Sequence, residues 1–191
     1  DIDEALRGEN PYEIVESRDE NGHGTFLAGI AAGSPEEDGS FTGAAPGASL
    51  AVVKLKPAKR YLRDFFQIRE DALAYQENDI MLGLVYLLVL AYTLKMPVVI
   101  LLGLGSNSGT HSGYSPLSSV IRWAADKPQV VVVTAAGNEA GRQHHFQGRI
   151  EAEAAWQDVE VRVGEGERGF SMEIWAEAAE AYAISLTSPS G

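Results

Sequence analysis

N-G-H-G-T-F-L-A-G-I-A-A-G, residues Asn21 to Gly33, sets one histidine between two glycines at the mouth of a segment that then turns small and apolar at helical spacing. Glycine on both sides lets the backbone turn sharply and lets another chain approach closely. Ala28, Ile30 and Ala31 would form a narrow helix face able to pack deep in a core. The pattern predicts a helix from near Gly24 to near Gly33, with His23 presented at a cleft rather than buried. A histidine at a helix start can equally serve packing or capping, so the rest of the chain has to decide.

Outward from that helix, Ser34 to Gly47 is rich in Gly, Pro and acidic residues and reads as a loop. Leu50 to Leu55 is a short apolar run with the character of a fully buried strand, and helical patterning dominates from Asp71 to Lys95. Val98 to Leu102 is a second buried-strand candidate, Ser115 to Asp126 a short helix, and Val130 to Ala135 a third strand. Apolar strands separated by helices make parallel βαβ units, whose ligands bind near the carboxyl ends of the strands. The glycine turns after Leu102 and after Ala136 fall there.

After Gly141 the period changes to two. Val159, Val161 and Val163 alternate with polar residues, as do Phe170, Met172 and Ile174, and Tyr182, Ile184 and Leu186. The turn at 164–169 would join the first two as an antiparallel hairpin. Two units follow, 1–143 with α/β character and 144–191 rich in β, the second incomplete.

The chain has 191 residues, no cysteine, and 15 basic against 27 acidic side chains for a net charge of −12. Thiol nucleophiles, disulfides and thiolate metal sites are excluded. The acidic balance disfavours nucleic acid and anionic membrane surfaces and favours a peptide or protein partner. Ile80 to Leu94 is uncharged, yet shorter than the roughly 20 residues a spanning helix needs, so it reads as a buried core helix. Asn78 can cap its start, with Asp79 and Lys95 complementing its dipole. The chain begins at Asp1 without a leader pattern, which suggests a fragment boundary.

H-G-T-F-L-A-G-I-A-A-G resembles the catalytic-histidine motif of the subtilisin-like serine proteases, the subtilases. Val130 to Glu139, V-V-V-V-T-A-A-G-N-E, is similar to the strand and turn that carry that family's oxyanion asparagine. Phe41 to Lys54 resembles its loop and core strand, and Val98 to Gly105, V-V-I-L-L-G-L-G, its substrate-cleft strand. K-L-K-P-A-K-R-Y-L-R-D-F-F, A-Y-Q-E-N-D-I-M-L-G-L-V-Y-L and G-L-G-S-N-S-G-T-H-S-G look like the clostridial germination-protease (Csp) branch. H-H-F-Q-G-R-I onwards looks like the jelly-roll insertion of that branch. The resemblance implies a partial subtilisin-like parallel sheet flanked by helices, followed by the start of an antiparallel β insertion.

It also implies roles. His23 would be the general base of a Ser-His-Asp mechanism, and Asn138 would donate its side-chain amide to the oxyanion. Gly103, Leu104 and Gly105 would line the substrate-binding cleft and pair with an extended peptide, with Gly103 standing where the family more often has serine. Asp19 matches an acidic position bordering that cleft, although a solvated loop carboxylate is an equal reading. The triad aspartate and the Gly-Thr-Ser-x-Ala nucleophile have no counterpart here; Asp1, Asp3, Ser34, Ser106 and Ser188 do not match. The expected function is therefore part of a serine endopeptidase, inactive as this chain alone. The alternative is a pseudoprotease that regulates spore germination by binding.

No cofactor is expected. His111, His144 and His145 lack the spacing of a metal site, D-x-D-x-D-G calcium loops are absent, and Glu36, Glu37 and Asp38 read as a solvated loop. A nucleotide-binding module is disfavoured, since Gly103 and Gly105 give only G-x-G. Localisation is open, with spore association or secretion implied by the resemblance alone, and oligomeric state is open too.

Overall fold

A computed structural model describes residues 2–152, 155–167, 169–177 and 179–189. Asp1 and residues 190–191, which bound the two expected units, lie outside the described residues. The helices are α1 (Ile2–Ala5), α2 (His23–Ala32), α3 (Arg60–Phe65), α4 (Glu77–Leu94) and α5 (Pro116–Ala125); the strands are β1 (Val98–Leu102) and β2 (Val130–Thr134). A short 3-10 turn spans Pro11–Glu13.

The organising element is the parallel pair β1 and β2, in register from Val98 opposite Val130 to Leu102 opposite Thr134. Ala135 N–H donates to the Leu102 carbonyl (3.2 Å) and carries the pairing one residue further. α5 is the crossover between the strands, as a parallel connection requires. Its start is fixed by Ser115, whose hydroxyl accepts from Ser118 N–H (3.1 Å), followed by Pro116 at the first helical position.

α4 and α5 pack on each other, on β1 and on β2 respectively, so they cover one face of the pair. Burial follows the period of two: Ile100 is 2% exposed beneath the helices, while its neighbours Val99 (70%) and Leu101 point away with Val131 and Val133. The strands are thus covered on one side rather than fully buried as expected. On the other face Val99, Leu101, Val131 and Val133 are all exposed.

α4 differs from its expectation in the same way. Only Gly83 and Leu84 are buried, and Tyr86, Val89 and Tyr92 stand exposed, because two strands and one helix are too narrow a base to cover an apolar helix on all sides. By length and composition it is the one helix among the described residues apolar enough to cross a membrane. Its cap is Gln76, which places Asn78 inside the first turn with Glu77 and Asp79; Lys95 closes the helix in a left-handed conformation (φ 54°). α2 likewise has no fully buried residue, and Ile30 is exposed. The total accessible area, 16345 Å², is far above the roughly 9,000 Å² of a compact monomer of this mass.

Residues 50–55 form no strand. The segment runs without ladder bonds beside α4, where Val53 Cγ1 sits against Gly83; an isolated bridge between Pro57 and Tyr75 follows just after it. The extended backbone therefore lacks the neighbour that would make it a strand. The expected hairpin in 144–191 is also unformed among the described residues. Glu167 N–H donates to the Gly164 carbonyl (3.3 Å) as a turn requires, but among the described residues the flanking alternating segments form no strand or bridge. Val159, Val161, Phe170 and Ile174 are all exposed, so alternation has no second layer to bury against. Glu173, which accepts from Gly109 N–H (3.0 Å), and Glu167, 3.8 Å from Arg69, tie this segment to the first unit.

Candidate active site

The site is built at the carboxyl ends of the two strands. α2 begins at His23 because Gly22 takes a left-handed turn (φ 80°) that only glycine adopts without strain, and because the next residues are small enough to follow. That geometry leaves the helix with a cap residue that has no side chain. Asp19 supplies what is missing: Oδ1 accepts from Gly22 N–H (2.9 Å), and Oδ2 accepts from Thr25 N–H (2.8 Å) and the Thr25 hydroxyl (2.7 Å). Thr25 is the third residue of the helix, whose N–H a serine or aspartate cap would ordinarily satisfy. The Thr25 hydroxyl first, then the Thr25 and Gly22 amides, hold the Asp19 carboxyl down at about 2 from its ordinary 3.8, with Lys54 adding a weaker attraction.

At the other end of the histidine, His23 Nε2 lies 3.0 Å from the Gly103 carbonyl, directly after β1. A carbonyl only accepts, so Nε2 carries the proton in this arrangement and the neutral ring keeps its lone pair on Nδ1. One turn along α2, Leu27 fills the space over Gly103. A Cβ there would collide with Leu27 Cδ1 and stand 3.7 Å from His23 Nε2. This gives a physical reason for glycine where the resembling family more often has serine: Leu27 occupies the volume.

Gly103 and Leu104 are half-buried, and Gly105 is open, with nothing near the position a Cβ would take. Asn138 lies after β2, beyond the left-handed Gly137 (φ 79°), and is exposed with no side-chain hydrogen bond among the described residues. His23 and Gly103, which opens the 103–105 segment after β1, are therefore brought into contact, and Asn138 follows the end of β2. Asp19 faces α2 with both oxygens engaged.

His111 and His144 have separate partners, the Asn107 carbonyl (3.2 Å) and Glu139. Among the described residues no three His, Asp or Glu gather as metal ligands. Two contributors escaped the sequence reading. Thr25 was legible in principle as the third helical residue after a capless glycine; Leu27 was not, since only the fold sets it on Gly103.

Residues 5–159 match the model of the subtilase family. Among solved structures, the CspB protease of Clostridium perfringens is similar, at a TM-score of 0.64 and 33% identity, over 78% of this chain and 30% of that one. The chain thus spans less than a third of the length of that protease. No curated protein matches the chain.

Proposed function

Since this chain belongs to the subtilase family, of which its likeness to CspB indicates the Csp branch, we propose that it supplies the general base and the oxyanion donor of a serine endopeptidase. Its substrate would be a peptide or protein, cleaved through an acyl-enzyme, with the triad aspartate and serine supplied by sequence outside these residues. The observation that carries the reading is the contact of His23 with the end of β1, which puts an exposed imidazole on the strand that a substrate backbone would use. A base at Nε2 needs its proton on Nδ1. A carboxylate at Nδ1 would draw the proton there and free Nε2 from Gly103, which is the triad acid's part in this scheme.

Asn138, without a side-chain hydrogen bond among the described residues, can turn its amide to a tetrahedral oxyanion. Gly103, Leu104 and Gly105 offer backbone to an extended peptide. We assign residues 144–191 to a β-rich insertion on the strength of their alternation, its strands pairing with further chain. α4 serves as a core helix rather than a membrane span, since it already packs on β1 and α5.

The test is labelling of the full-length protein by a serine-directed phosphonate, together with turnover of a peptide substrate. Labelling that disappears with His23→Ala, and is absent from residues 1–191 alone, is the expected result. A full-length protein with a substituted serine that binds protein partners without turnover would instead favour the pseudoprotease. Labelling of the 191-residue chain itself would overturn the division of the triad.

A further inference from the structure

We propose that Asp19 is a positioning residue for His23: its carboxylate fastens the backbone on both sides of the histidine and so sets where the imidazole stands against β1. The proposal rests on the reading of His23 as general base. His23 is the first residue of α2, held by one peptide to Gly22 and by two to Thr25. Asp19 bonds to Gly22 through one oxygen and to Thr25 through the other. The histidine is thereby clamped at the point where a helix frays most easily, because its cap residue has no side chain to close the turn. An anion at this end is also favoured by the helix dipole.

The far side of the ring is fixed by a group 80 residues away in sequence, the Gly103 carbonyl. With one support local and one distant, loosening the local one lets the imidazole leave the strand while α2 persists through its packing at Leu27. A carboxylate with all its bonds directed inward at 2.7–2.9 Å is poorly disposed to reach a substrate, which separates this role from that of a cleft-lining acid.

The experiment compares Asp19→Ala, Asp19→Asn and Thr25→Val with the unaltered full-length protein, by steady-state kinetics and by NMR of ¹⁵N-labelled histidine. Asp19→Ala should lower kcat about 10- to 100-fold, as displacement of a reacting group does, with KM within about twofold. The His23 Nε2–H signal should move or broaden. Asp19→Asn, which keeps one acceptor oxygen, should recover part of the loss; Thr25→Val, which keeps the backbone bonds, most of it. A rise in KM at unchanged kcat would show a substrate contact and overturn the proposal, as would an unmoved His23 signal in both Asp19 variants. If the unaltered protein shows no turnover, the endopeptidase reading fails, and the His23 signal alone still decides whether Asp19 places the ring.

Discussion

The two arms of the proposed site are built in opposite ways. His23 is held by Asp19 from behind and by the Gly103 carbonyl in front, whereas Asn138 emerges from a glycine turn and bonds to nothing among the described residues. His23 touches the residue that follows β1, and Asn138 lies on the segment that follows its parallel partner β2. The difference fits the tasks proposed for them. A base must meet a nucleophile at one angle, so its position is fixed in advance; an oxyanion donor needs its amide uncommitted until charge develops.

That contrast can be broken most forcefully at the base. His23→Ala in the full-length protein should reduce kcat by roughly 10⁶-fold, the scale on which loss of a triad histidine acts in related enzymes. A variant keeping more than about a hundredth of the activity would remove His23 from the mechanism. Asn138→Ala should cost about 10²–10³-fold in kcat, the loss seen when an oxyanion donor is removed from a related enzyme. It should leave the His23 NMR signal in place, since no hydrogen bond joins the arms. A shift of that signal would mean that the arms are coupled and the contrast is wrong.

Gly103→Ala probes the forward support. The new methyl would meet the mobile tip of Leu27, so a cost of about 1 kcal/mol is expected, at the low end of overpacking. Leu27→Ala should offset part of that cost. Urea unfolding of the four members of this double-mutant cycle measures it, and strict additivity would deny the contact.

The smallest effect comes from pH. Asp19 titrates at about 2 when folded against an ordinary 3.8, so the bonds it makes are fully present above the ordinary value and are lost as pH falls through the folded one. The Thr25 amide signal should hold steady from neutral pH down to about 4 and move only below it. A midpoint near 3.8 would show a carboxylate free in solvent.

Much of this was legible from residue order. α2 starts one residue before its expected position, α5 and β1 match within a residue, and β2 ends one residue early. These elements are short-range in cause: a capping serine before Pro116, a left-handed glycine before His23, apolar runs bounded by turns. What failed depended on neighbours. Leu50 to Leu55 and Val159 to Val163 have strand-like sequences, but a strand exists only when a second backbone accepts its hydrogen bonds, and alternation does not say where that backbone is. The same holds at the site. The histidine motif was readable, while the seat of Leu27 over Gly103 and the inward turn of Asp19 required the chain to be folded.

The acidic loop after α2 has a practical use. Gly43 N–H donates to the Gly33 carbonyl (3.0 Å), and Ala44 and Ala45 donate to Ile30 and Ala31 (2.9 and 2.8 Å), so the ends of residues 34–42 are pinned together at the far end of the helix from His23. A side chain at Gly43 would run into the backbone of Gly33 and Ala32, and one at Gly33 into the Gly29 carbonyl. Lengthening a loop whose ends are already fixed costs only about 0.6 kcal/mol per doubling. The segment is a natural port for an affinity tag or a fluorophore, and an unchanged His23 spectrum in the tagged protein would confirm that the graft is silent.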